Sequence, residues 1–197
     1  MNNHAGPLSS PWLPGTEDPF EYFLSRLSPK VRSSVDKHLV ACEGDSATGF
    51  GELWKKLALT LVRLAPHAVE VTGTAFRFFI LDGKYRRQVF VLEDTRKGTL
   101  HIYLPDIIAL AQSRNLLGNP TGTSYPAPSE RSSITLEIVN TDTKDLPDYC
   151  KAMLGWGRRA LCATLTTTDS DKHVRIVERL CELAADAWKN LPAPAAT

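Results

Sequence analysis

The sequence predicts an α+β fold, with N-terminal helices, an antiparallel β-meander of four to five strands, and C-terminal helices packed on the sheet. Apolar residues recur at helical spacing up to residue 64, the period changes to two between residues 69 and 104, and helical spacing returns after residue 168. We expect residues 17–190 to form a single domain. Residues 1–16 and 191–197 are rich in small and turn-forming residues, which predicts a flexible N-terminal segment and a flexible tail.

Three helices are predicted before the meander. Asp18, Pro19 and Glu21 are typical of an N-cap, a first-turn proline and an N3 acid, so the first helix should run from Pro19 to about Leu27. The second and third helices follow from apolar residues at helical spacing. These residues are Val31, Val35, Leu39 and Cys42 in the second helix, and Trp54, Leu57, Leu61 and Leu64 in the third.

The strands are predicted from alternating runs that are rich in β-branched and aromatic residues. The runs are 69–72, 75–81, 86–92, 99–104 and 134–140. Asp82-Gly83 and Lys97-Gly98 stand where hairpin turns are needed, so the runs between residues 69 and 104 form an antiparallel meander. A short helix should extend from Ile107 to about Leu116, and residues 117–132, which are rich in proline and glycine, form a long connection.

The end of the chain has a helical pattern. Residues 146–165 have helix-forming composition interrupted by two glycines, which predicts two pieces or one kinked helix. The last helix is capped by Thr168 or Asp169 and carries an apolar surface wider than one packing partner usually covers. That breadth favours a helix sandwiched in the core. A symmetric homodimer contact that includes Trp188 is the alternative.

The composition excludes several classes of protein. An apolar fraction of 43% and a charged fraction of 23% are ordinary for globular proteins, which argues against disorder of the whole chain. There are 23 Lys plus Arg and 22 Asp plus Glu, so the formal charge of +1 gives no general attraction for nucleic acid or acidic lipid. The N-terminus lacks the apolar region of a secretory signal, and no apolar run reaches the ~20 residues of a membrane span. We therefore expect a cytoplasmic protein.

Strand parity divides the side chains of the meander into two faces if the turn at Asp82-Gly83 has two or four residues. One face is predicted to be core and carries Phe76, Phe78, Ile80, Val89 and Val91, with Leu100, Ile102 and Leu104 from the next strand. The other face, named the second face from here on, is amphipathic and is the candidate binding surface. It carries Arg77, Phe79, Arg86, Gln88, Phe90, His101 and Tyr103.

The second face suggests two kinds of partner. Residues 71–104 hold six basic and three acidic residues, so a local positive excess accompanies the aromatic side chains. The function that the sequence favours is a non-catalytic cytoplasmic binding or adaptor domain, which contacts a protein partner through the second face and the adjacent loop 117–132. Single-stranded nucleic acid is the alternative partner, because arginines neutralise phosphates and aromatic rings stack on bases.

Residues 44–49, GDSATG, resemble the first block of the GDS-type (SGNH) esterase family. A serine at the position of Ser46 is the nucleophile in that family, so the resemblance implies a small serine hydrolase, with Gly118-Asn119 and His173 as partners of the nucleophile. The late block of the family has an Asp three residues before its His, whereas position 170 is Ser in this chain. A Gly/Ser/Asp loop between two helices is the alternative, and the sequence favours it.

No other pattern in the sequence predicts chemistry. The four cysteines are widely spaced and no two of the five histidines lie within four residues, so we expect reduced thiols and neither a metal site nor a cofactor. A Cys-His dyad such as Cys162 with His173 stays open, because such partners meet only in space. We assign no catalytic residue from the sequence.

Overall fold

A computed structural model describes residues 19–43, 50–65, 68–82, 85–95, 99–140, 159–166, 168–169 and 171–189 of the chain. The predictions made for residues 1–16, 44–49, 146–158 and 191–197 lie outside these ranges.

The described residues form helices on one side of a single antiparallel sheet. The sheet has seven strands in the order β1-β2-β3-β4-β7-β6-β5, so the α+β class is confirmed and the predicted four to five strands are too few. The helices are α1 (Pro19–Arg26), α2 (Pro29–Glu43), α3 (Phe50–Leu64), α4 (Ile108–Ser113) and α5 (Asp171–Lys189). The strands are β1 (Ala68–Thr72), β2 (Ala75–Asp82), β3 (Tyr85–Asp94), β4 (Thr99–Pro105), β5 (Ser124–Ala127), β6 (Ser132–Asn140) and β7 (Arg159–Thr166).

Strand β7 stands where the sequence predicts the C-terminal part of a helix over residues 146–165. It lies between β4 and β6, so both of its edges are paired. Four consecutive residues from Ala160 to Ala163 are buried, which means that both faces of the strand are covered. A strand buried on both faces does not alternate between apolar and polar residues, so periodicity cannot distinguish it from a buried helix. The helix prediction is wrong for this segment.

Residues 117–132 contain strand β5, which the sequence does not predict. A tight turn precedes the strand, with Thr121 and Ser124 exchanging backbone hydrogen bonds of 2.8 and 3.1 Å. Gly122 has a φ of 63° at the first central position of this turn, where a type II′ hairpin favours glycine. β5 is the edge strand farthest from β1, and five strand spacings separate it from β2, or about 24 Å. β5 therefore does not adjoin β2 or β3, and the strand of the predicted second face that lies nearest to it in the sheet order is β4, three spacings away.

Helix α5 packs on one face of the sheet, named the core face, and α3 packs on α5. The large apolar side chains of α5, among them Ile176, Val177 and Leu180, are buried in the main core. Leu100, Ile102 and Leu104 of β4 belong to the same core. The wide apolar surface of α5 is thus sandwiched between α3 and the sheet in the part of the helix whose side chains are described. The side chain of Trp188, which the dimer alternative uses, lies outside that part.

His38 connects α2 and α3 to the sheet. Its ring centroid lies 4.9 Å from that of Trp54 in α3 and 5.5 Å from that of Phe76 in β2. Its Nδ1 lies 3.5 Å from Oδ2 of Asp94 at the end of β3, and both side chains are buried. Because a buried polar group is stable only with a polar partner, this contact fixes the position of α2 against β3.

We expect the substitution Asp94→Ala to lower the free energy of unfolding by about 1–3 kcal/mol, because it leaves the buried His38 ring without this carboxylate. Urea denaturation followed by circular dichroism measures the change. Asp36→Ala removes an exposed acid from the same helix as His38 and should change the free energy by less than about 0.5 kcal/mol. Equal effects of the two substitutions would show that the pair with His38 contributes nothing.

Candidate functional site

The second face depends on one irregularity in β3. Phe78 of β2 pairs with Phe90, but the next residue, Phe79, pairs with Gln88, so Val89 has no opposite residue on β2. Two residues of β3 thus oppose one step of β2, which is a β-bulge. Both Val89 and Phe90 are buried in the main core. The side-chain alternation of β3 therefore changes sides at this point.

The bulge overturns part of the predicted face assignment. Phe90 and Leu92 belong to the main core beside Phe78, whereas Val91 belongs to a smaller buried cluster on the second face. The parity prediction has this order reversed because it assumes an unbroken period of two through β3. Phe90 is thus a core residue and is not available on the second face.

The remaining predicted site residues are only partly available to a partner. Phe79 pairs with Gln88 on the second face, and both side chains are buried. His101 and Tyr103 of β4 also lie on this face, as predicted, since Tyr103 pairs with Val91. Arg86 pairs with Leu81 within the β2–β3 hairpin, and its side chain lies outside the described part of the molecule.

At the β1 side of the second face, Arg77 is engaged by groups of the chain itself. Its Nη2 donates a 2.6 Å hydrogen bond to Oε2 of Glu70, which is also an ion pair. The guanidinium carbon lies 5.8 Å from the ring centroid of Phe79, within the range of a cation–π contact. These contacts compete with any phosphate or carboxylate that a partner would bring to Arg77.

The middle of the second face carries a group of three polar side chains, named the polar cluster: Glu93, His101 and Tyr103. The Tyr103 hydroxyl donates to Oε2 of Glu93 at 3.2 Å and lies 3.5 Å from Nδ1 of His101. The same Nδ1 lies 3.8 Å from Oε2 of Glu93. The Glu93 and His101 side chains are 18% and 30% exposed, so the cluster is reachable from solvent while its geometry is fixed from within.

Cys162 of β7 lies beside the polar cluster, opposite Tyr103 on β4 and Glu137 on β6. Burial, with the nearby charge of Glu137, raises the pKa of the Cys162 thiol to about 12. The thiol is therefore protonated at neutral pH and is a poor nucleophile. Cys162 faces away from the core on which α5 packs, and α5 carries His173, whose Nδ1 lies 2.8 Å from Oδ1 of Asp169. The Cys162–His173 dyad left open by the sequence is not formed.

The described side chains make the second face less basic than the sequence indicates. Glu70, Glu93 and Glu137 lie on this face by their strand pairing, against Arg77, Arg86 and His101. The positive excess in the sequence was counted over residues 71–104 on both faces of the sheet. It therefore includes Arg87, which pairs with Ile80 on the core side. Glu137 was missed because nothing in the sequence shows that β6 reaches the meander by way of β7.

Other candidate chemistry receives no support within the described ranges. Ser46 lies outside them. No three His, Cys, Asp or Glu side chains in the described part of the chain approach one another as a metal site requires. None of the described helices is long and apolar enough to cross a membrane.

No family model, curated protein or solved structure matches this chain.

We expect Phe90→Ala to lower the free energy of unfolding by about 3–5 kcal/mol, because it leaves a cavity in the main core. Arg77→Ala removes a partly exposed ion pair and should cost no more than about 1 kcal/mol. Chemical denaturation of the two variants measures both changes. A small loss of unfolding free energy for Phe90→Ala would instead show that this residue lies on the surface, as an unbroken period of two in β3 predicts.

We expect neither Cys162 nor Cys181 to react with iodoacetamide in the native protein at pH 8. Burial raises both pKa values above the ordinary value of 9.0, which reduces the thiolate fraction of Cys162 from about a tenth to about one part in ten thousand. Peptide mapping by mass spectrometry reports each thiol separately, and urea should make both reactive.

The raised pKa values of Cys162 and Cys181 predict that the native state loses stability as pH rises above about 9. The unfolded chain then releases thiol protons that the folded chain retains. This loss should be smaller in Cys162→Ala. Fast native labelling of Cys162 would show that its thiol is exposed and activated.

Proposed function

We propose that this chain is a non-catalytic binding domain, which contacts a protein partner through the polar cluster and Glu137 on the second face of its sheet. The observation that carries the proposal is the polar cluster itself. A carboxylate, an imidazole and a phenol hold one another in place on two central strands, where Glu93 and His101 are partly exposed and Tyr103 is buried. Groups fixed in advance in this way lose little conformational entropy when a partner binds.

The charge of this surface favours a partner that offers hydrogen-bond donors. Glu93 is partly exposed and Glu137 is exposed, and no described side chain forms an ion pair with Glu137. Both are carboxylates, which accept strong hydrogen bonds from arginine and lysine. A basic patch on a protein therefore complements this surface better than the phosphates of a nucleic acid do.

A binding role agrees with the chemistry of the second face better than a catalytic role. The buried thiol of Cys162 keeps its proton because its pKa is about 12, and therefore supplies no nucleophile at neutral pH. Stacking of bases requires exposed rings, whereas Phe79 is only 6% and Tyr103 only 6% exposed. The second face thus lacks both an activated nucleophile and a stacking platform among its described side chains.

Chemical crosslinking in a lysate of the source cells, followed by quantitative mass spectrometry, tests the proposal with two matched charge reversals. Glu137→Lys changes the second face, and Asp186→Lys changes another exposed acid on α5, on the helical side of the sheet. We expect Glu137→Lys to reduce the recovery of a defined set of proteins about tenfold, because like charges would meet in the complex. Wild type and Asp186→Lys should recover that set equally.

Equal recovery by all three proteins would refute the proposal. Recovery that depends on nuclease-sensitive material, together with direct binding of a labelled single-stranded oligonucleotide that weakens steeply with salt, would assign the second face to nucleic acid instead.

A further inference from the structure

Helices α1, α2 and α3 enclose a groove of about 700 Å³ on the helical side of the molecule. Both α1 and α2 pack against α3, so each of the three helices contributes a side of the groove. Its apolar lining comes from Phe20 and Leu24 of α1, Leu39 and Val40 of α2, and Leu59 of α3. A volume of this size lies within the range of clefts that hold ligands in proteins.

Val40 is the clearest sign that the groove is open. Its exposed fraction is 67%, and the only other strongly exposed large apolar residue in the described part of the chain is Ile138, at 43% on β6. Scattered exposed apolar residues are ordinary on protein surfaces. Val40 differs from them because it borders a groove whose other apolar side chains are buried or half-buried, so a partner that enters the groove would bury Val40 as well.

The charges of the groove are separated between its sides. The charged groups from α1 and α2 are acidic, namely Glu21 and Asp36, whereas α3 contributes two lysines and one acid. Lys55 is held in place, since its Nζ lies 3.1 Å from Glu52 and 5.9 Å from the ring centroid of Phe20. Asp36 and Lys56 form no ion pair with any described residue. Within the described part of the chain, one side of the groove therefore presents a negative charge without an ion pair, and another side presents a positive charge without one.

We propose that this groove binds an amphipathic helix of another protein. The apolar stripe of that helix fills the groove, basic residues on one flank meet Asp36, and acidic residues on the other flank meet Lys56. Recognition of this kind reads apolar anchors at i, i+3, i+4 and i+7, and the separated charges of the groove fix the direction in which the helix lies.

We assign the apolar stripe to a different protein, since the described helices of this chain use their own apolar side chains internally. In a second copy of the chain, α5 buries its described apolar side chains between α3 and the sheet, and most of the described apolar side chains of α1 to α3 lie in the core or line the groove itself. No described helix therefore offers a free apolar stripe to the groove of another copy. The proposal is independent of the second face, which is formed by the other side of the sheet.

A phage-displayed library of helices of about 20 residues tests the proposal. The library fixes a leucine stripe at i, i+3, i+4 and i+7 and randomises both flanks, and the intact chain is the bait. We expect the enriched helices to carry Lys or Arg along one flank and Asp or Glu along the other. The most enriched helix is then synthesised with a fluorescent label, and its affinity is measured by fluorescence anisotropy.

Two variants with the same chemical change give a matched comparison. Val40→Lys places a charge at the groove. The new lysine has Asp36 as an i,i+4 ion-pair partner, so α2 should stay folded. Ile138→Lys makes the same kind of change on β6. We expect the labelled helix to bind Val40→Lys about tenfold more weakly than wild type, and Ile138→Lys as tightly as wild type. Lys56→Glu should weaken the binding of this helix. The same substitution should strengthen the binding of a version of the helix whose acidic flank is changed to lysine.

Absence of enrichment, flanks without charge separation, or equal affinity for wild type and Val40→Lys would each overturn the proposal. Sedimentation of wild type would also overturn it if the chain self-associates and Val40→Lys abolishes the self-association, because the groove would then be occupied by a second copy. Circular dichroism of all variants confirms that loss of binding is not loss of folding.

Discussion

The bulge in β3 is the constraint on which both faces of the sheet depend. Side chains of a strand alternate with a period of two, so one extra residue exchanges the faces of every residue that follows it. Val89 and Phe90 both enter the core, and Glu93 consequently lies on the second face beside His101. An unbroken strand would instead place Glu93 in the core and Phe90 on the surface. The polar cluster therefore exists because of this single irregularity.

The helical layer gives the core face its stability and leaves the second face to polar groups. α5 packs between α3 and the central strands, and the buried contact of His38 with Asp94 attaches α2 to the end of β3. Because the described helices all lie on the core face, the polar side chains of the meander collect on the other face, where Ala75 and Val91 are nevertheless buried. This division is usual for antiparallel sheets, in which one face packs on the core and the other is more polar.

We propose two surfaces of the molecule for protein partners, and they differ in chemistry. The second face offers carboxylates beside an imidazole and a phenol, on rigid strands that hold them in place. The groove of α1 to α3 offers an apolar lining with charges of opposite sign on different helices. If both proposals hold, the domain binds two partners at once, which is the property of an adaptor. The buried thiols of Cys162 and Cys181 take no part, since burial keeps them protonated.

The sequence by itself determined the elements whose patterns are local. It predicted α1 to α3, the meander and β6 closely, because capping residues and apolar periods act within one turn or one strand. It did not determine β7, since a run such as ALCA, buried on both faces, has no period. Nor did it determine the membership of the second face. His101 and Tyr103 were placed correctly, whereas Phe90 was not, because a bulge depends on how two strands fit together. Only the tertiary structure brought Glu70, Glu93 and Glu137 onto one surface, since residues from β1, β3 and β6 meet through pairing that no local pattern records.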